Sequence, residues 1–300
     1  MQGYTIGIAA LLVLVVGPLS LGIVGLIATR RKPAEGVAPA RRDWKLPVAS
    51  ALLFTLAFNL TFFLQELFLV LPKAMTPGLQ PTLYHNNHGW TGENPLADLF
   101  QGTGALATLL CGLVCMGLLS RGHARSATLR LFLFWMGYCG CLMALLQCVV
   151  GAISAGSDVG MAMDYLHLGA TTKMFLAIVA LVAIASIALW LVRRLPDAVG
   201  GGSERFGSPS RLVLLVVTLP ALAAVALIVP FRIPREPIEV VVVPLAVVVV
   251  GVAWMQAGAW RIRPVSGNGA RAVSIAYPFV AALLLLAFFQ VVLRPGIAFY

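Results

Sequence analysis

The residues that point to chemistry lie between positions 59 and 173. The segment 84–93 reads Tyr-His-Asn-Asn-His-Gly-Trp-Thr-Gly-Glu and holds two of the four histidines, His85 and His88. Three residues apart, they share a face if the segment makes a helical turn. Imidazole is the commonest metal ligand and titrates near neutrality. Asp164 and His167 repeat that spacing at the head of a later apolar stretch. Glu66 stands close to the end of another, with Asn59 deeper on the same face. At roughly 1.5 Å per helical residue the carboxylate is about 8 Å below that end. Two or three histidines with one or two carboxylates form a ligand set for zinc or a similar divalent ion, with a position left open for water. Water on such an ion is deprotonated near neutrality and attacks an ester or phosphoester. The expected ligands are therefore His85, His88, Asp164 and His167. Glu66 is the expected acid or base, with Lys173 as its ion-pair partner and second catalytic group. Asn59, Asn87, Trp90, Gln101 and Gln147 are expected to orient the substrate.

The same residues also have a structural reading. Loop histidines bond backbone carbonyls, a Glu–Lys pair balances its own charge, and an acidic residue in a first helical turn is favoured by the helix dipole. All five cysteines lie between 111 and 148, which argues against a secreted disulfide framework. Cys111 and Cys115 share a helix face, and Met116, Met136 and Met143 are near in sequence. Soft sulfur ligands select cuprous copper, which makes copper the second metal to consider. Buried sulfur also serves as adaptable packing. His-Glu-x-x-His, Gly-x-Ser-x-Gly, Walker and dinucleotide-binding patterns are absent, so no nucleotide cofactor is expected.

The elements that must carry these residues are membrane spans. Of 300 residues, 60% are hydrophobic and 11% charged, with mean hydropathy +0.94. Soluble domains carry about a quarter charged residues. A span needs about 20 apolar residues, and eight stretches qualify: roughly 4–28, 46–71, 98–120, 127–154, 164–192, 211–231, 238–260 and 273–293. The Val-rich run 240–252 has strand propensity, but an open strand edge is excluded from lipid, so the spacing predicts a helix. The first stretch lacks a basic residue before it and is followed by Arg30-Arg31-Lys32, the reverse of a signal peptide. The fold expected is an all-α bundle of about eight transmembrane helices.

Segments 29–45, 121–130, 193–211 and 261–271 hold sixteen of the twenty-one Lys and Arg; the other side holds Lys73, Arg232, Arg235 and Arg294, and Lys173 lies within a span. The basic side is expected to be cytoplasmic, with both termini outside and the Pro-rich loop 72–97 exposed there. The net charge of +10 then meets anionic inner-leaflet lipid and requires no nucleic acid. A bacterial inner membrane is the expected location. Residues 196–210, rich in Gly and Ser, read as a cytoplasmic linker between a polar-bearing five-helix part, 1–195, and an apolar three-helix part, 211–300. Function is expected in 46–175, with the last three spans as support or an oligomer surface. Gly104, Thr108 and Gly112 recur every four residues, as where spans 2, 3 and 4 approach closely.

The reading that follows is a membrane-integral, metal-dependent hydrolase or transferase facing outward and acting on a lipid-like or membrane-bound substrate. Two others compete. A transporter of a small solute, proton or copper would need polar residues through to the basic side, where only Thr55 and Thr108 stand. A non-catalytic membrane subunit or assembly factor would grip a membrane-protein partner through Trp90, Tyr84 and the prolines of the loop.

Overall fold

A computed structural model describes residues 2–30, 44–122, 126–200, 206–263 and 273–300. Eight of its helices are long and apolar enough to cross a membrane, and the chain is a polytopic membrane protein. They are α1 (Gly3–Thr29), α2 (Lys45–Ala74), α3 (Leu96–Ser120), α4 (Ala127–Ile153), α6 (Ala170–Ala198), α7 (Pro209–Arg232), α8 (Pro237–Ala257) and α9 (Ala276–Leu293). A short helix, α5 (Asp158–Tyr165), stands between α4 and α6. Span boundaries follow local chemistry. Ser126, Ser157 and Ser208 cap α4, α5 and α7 by accepting from the Leu129, Gly160 and Arg211 amides. Pro209 and Pro237 sit at helix starts, where a missing N–H costs nothing. The Val-rich run is helical within α8, as lipid requires.

The bundle is not purely helical. Between α2 and α3 the chain forms a hairpin of β1 (Gln80–Leu83) and β2 (His88–Thr91), and β3 (Ile297–Ala298) adds to the other edge of β1, in the order β2-β1-β3. Gly92, at φ +91°, makes this possible: a Cβ there would lie 1.8 Å from the Gly78 carbonyl oxygen. The proline spacing correctly rules out a continuous helix for 72–97. It does not place His85 and His88 on one face, because one stands in the turn and the other on a strand.

One hydrophobic core runs through both expected parts. It joins Phe54, Phe58, Trp135 and Tyr138 to Ile184 and Leu191, and onward to Val213, Val217, Val248 and Met255. The proposed break at 196–210 therefore does not divide the core: α6 continues helical to Ala198, and 201–205 lie outside the described residues. At the centre, Trp135 Nε1 donates to Ser50 Oγ at 3.0 Å, and Ser50 donates to the Val216 carbonyl, tying α2, α4 and α7. The Tyr138 hydroxyl reaches the Val247 and Val248 carbonyls of α8. The small stripe on α3 works in both directions. A Cβ on Gly104 would press on the Gln65 carbonyl of α2 at 2.8 Å, and one on Gly112 on the Cys141 amide of α4 at 2.8 Å. All five cysteines are free thiols within this packing.

Candidate functional site

The site lies under the hairpin. The last two turns of α2 carry Gln65, Glu66 and Lys73, all buried. The hairpin closes over them, which gives β2 its role: His88 Nδ1 donates to Glu66 Oε2 at 2.7 Å, and His88 Nε2 lies 3.1 Å from Gln101 Oε1. Trp90 stacks against His88 with ring centroids 5.9 Å apart, and the Lys73 ammonium stands 4.3 Å from the Trp90 ring centroid. Lys73 Nζ has no hydrogen-bond partner among the described residues. Gln147 donates to Gln65 at 2.7 Å from α4.

The hairpin tip holds a different element. His85 Nε2 donates to the Ile233 carbonyl at 3.1 Å, and Asn86 donates to the Arg232 and Pro234 carbonyls at 2.9 and 3.1 Å. From α9, Gln290 donates to the Pro230 and Ile233 carbonyls. Arg235 closes the clamp by donating to the Asn86 carbonyl and pairing with Glu239. Three side chains thus satisfy carbonyls left open where α7 ends. Burial, followed by the charges of Arg294, Arg232 and Arg235, holds the His85 imidazole below its usual pKa. With Nε2–H donating, Nδ1 is a buried lone pair that no donor meets.

Beside the clamp opens a cavity of about 480 Å³. Its polar end is lined by Gln65, Glu66, Asn87, Gln147, Ser157, Asp158, Arg232, Arg235 and Glu239. Its remaining walls are apolar: Phe62 of α2, Met143, Leu146 and Val150 of α4, and Val242, Val243, Ala246 and Val247 of α8. Asp158 is the residue the sequence reading missed. Burial, with the neighbouring Glu66 charge second, raises its carboxyl above the usual range, against the attraction of His88, Lys73 and Arg235. The Arg232 guanidinium lies 4.3 Å from the Phe62 ring centroid, and its Nε and Nη1 have no hydrogen-bond partner among the described residues.

The expected residues separate into two groups. Glu66, His88, Gln101 and Trp90 come together in one network, with Asn87 and Gln147 on the adjoining cavity wall. Asn59 does not join them: it donates to the Thr55 carbonyl one turn below on its own helix. Lys173 does not pair with Glu66. It bonds Asp164 at the exposed end of α5, because α6 begins only at Ala170 and 166–169 form the turn between them. His167 is exposed in that turn with φ +51°. The four expected metal ligands are thus held at separate places, His85 on Ile233, His88 on Glu66, Asp164 on Lys173 and His167 in the exposed turn. Among the described residues no three His, Cys, Asp or Glu side chains are grouped to share an ion. Cys141 Sγ and Met116 Sδ, 3.7 Å apart, sit within the packing of α3 on α4. The polar residues that line the cavity are not confined to 46–175, since Arg232, Arg235 and Glu239 are among them.

A signal for Arg232 and Arg235 was present in the sequence: with Lys73 and Arg294 they are the basic residues off the basic side. No protein family, curated protein or solved structure matches this chain.

Proposed function

We propose that the protein is a membrane-integral enzyme that performs acid–base chemistry, hydrolysis or group transfer, on the head of a lipid-like substrate. The observation that carries this is the cavity itself: two carboxyl groups in unlike environments, Glu66 and Asp158, line one polar end of a chamber whose other walls are apolar and lie among the spans. Two carboxyl groups facing one chamber can serve as an acid and a base. Glu66, oriented by His88, takes the proton of the attacking hydroxyl or water. Asp158, whose carboxyl pKa burial raises, delivers a proton to the leaving oxygen. Gln65, Gln147 and Asn87 orient the head group, and the Val, Leu and Met walls take its chains. Lys/Arg asymmetry supports a hairpin end that faces outside, and the location we propose is a bacterial inner membrane.

The test is consumption of lipid. Purified protein in lipid nanodiscs is incubated with a bacterial lipid extract, and species are followed by mass spectrometry. Wild type is expected to deplete one lipid class. Glu66→Gln and Asp158→Asn are expected to slow this by roughly a hundredfold or more. A lipid profile unchanged by wild type, or depleted equally by both variants, overturns the reading.

A further inference from the structure

We infer that the polar end of the cavity is a receptor for a phosphate-type oxyanion on the substrate head, with Arg232 as its principal ligand. The inference rests on the cavity being the substrate site and adds what that substrate must carry.

The argument is one of unspent charge. A buried cation normally has a partner, because removing an ion from water is costly unless hydrogen bonds replace its hydration. Arg232 is 97% buried by its 3% exposure, lines the cavity, and has two N–H positions, on Nε and Nη1, without a partner. One ring, Phe62, lies against its guanidinium. Donors of a guanidinium lie in its plane, in the fork that grips phosphate or carboxylate.

The acidic residues nearby are already engaged. Glu239 pairs with Arg235 and Glu66 with His88. Burial raises the pKa of the Asp158 carboxyl, which disfavours its anionic form. Arg232 is the guanidinium on this wall left without an anion. Asn87 lines the same cavity and adds an amide donor, and Arg235, although paired with Glu239, adds positive charge to the same end, in keeping with the charge of a phosphate. The apolar walls from α4 and α8 then favour a phosphate attached to hydrocarbon over the free ion.

The wall is built to hold this cation in place. Three side chains, His85, Asn86 and Gln290, bond the backbone carbonyls of 230–234, so the position of Arg232 is fixed through its own carbonyl and those of its neighbours. Its side chain is left out of that network.

The experiment uses the full chain in detergent, with binding read by calorimetry and by the thermal midpoint. Three probes are compared: dihexanoyl phosphatidic acid, dihexanoylglycerol with the same chains and no phosphate, and inorganic phosphate. The phosphorylated lipid is expected to bind at least tenfold tighter than either of the others. Arg232→Met is expected to weaken it by roughly ten- to a hundredfold, to leave dihexanoylglycerol unchanged, and to raise the midpoint of the ligand-free protein, since an unpaired buried charge is removed. Arg232→Lys, which retains charge without the planar fork, should bind between the two. Equal binding of the phosphorylated and phosphate-free lipids overturns the inference without reference to any variant, and so does full preference in Arg232→Met. Inorganic phosphate binding as tightly as the lipid overturns the lipid source. Binding is read without turnover, so a lipid extract that is never consumed defeats the acid–base reading while the anion site stands.

Discussion

His85 and His88 are three residues apart and do opposite work. His88 orients a carboxylate; His85 fixes a turn. Their chemistry separates under acid. Because burial lowers the His85 pKa in the folded protein, the unfolded chain binds more protons as pH falls through the ordinary histidine range, about 6.5. His85 therefore contributes stability that is complete above about pH 6.5 and is lost below it. His85→Gln, which retains a donor for the Ile233 carbonyl but cannot titrate, should show a smaller drop in thermal midpoint between pH 7 and 5.5 than wild type. An equal drop would remove His85 from the acid response. Asp158 has the reverse sign. Its raised carboxyl pKa means that ionisation disfavours the fold as pH rises above the ordinary carboxylate value of 3.8, so the thermal midpoint of Asp158→Asn should gain on that of wild type as pH is raised from that value. Lys173 was expected beside Glu66, yet its partner Asp164 is half exposed. Such pairs contribute about 0.2–1 kcal/mol, so Lys173→Ala should leave lipid consumption and stability nearly unchanged, while His88→Ala reduces consumption. The residue types were legible in the sequence; their partners were not. Spacing fixes which side chains share a face only if the element is known, and His-x-x-His reads as a helical turn or as a hairpin with equal ease.

At the scale of elements, the spans themselves were readable because hydropathy and length are properties of a contiguous stretch. The Val-rich α8 shows the principle: strand propensity yields to the need to satisfy every backbone group within lipid. The start of α6 was read six residues early, at 164 instead of Ala170, because α5 continues the apolar character of the span that follows. What holds spans together was partly legible. Gly104 and Gly112 mark contacts of α3 with α2 and α4. The Ser50 relay was not, since nothing local says that Trp135 and Val216 will meet it. Ser50→Ala removes an acceptor from the fully buried Trp135 and a donor from the Val216 carbonyl. The expected cost is about 1–3 kcal/mol, readable as a shifted midpoint in denaturant titration of the detergent-solubilised protein. A loss below about 0.5 kcal/mol would show that the relay is not structural.

For the whole molecule, the proposed orientation, with the hairpin outside, follows from charge asymmetry and can be tested directly. Thr91→Cys, exposed on β2, should react in intact cells with a membrane-impermeant maleimide; Arg121→Cys, on the opposite face, should react only after lysis. Native thiols give little background, being buried or half-buried among the spans. Labelling with the reverse pattern would invert the topology and place the cavity on the inner leaflet. The division of labour expected between a polar part and an apolar part fails at this scale, because the cavity takes Arg232 and its Val wall from the apolar spans. Composition counts polar residues per span, and a site needs only one or two from each. The three-stranded sheet adds a matter of timing. β3 follows the last span, and it pairs with β1, which precedes the third. During synthesis, then, the hairpin must wait with one edge unpaired while six further spans enter the membrane. The outer edge of β1 is covered only once residues 297–298 have been made, so a ribosome-bound product would present that edge unpaired.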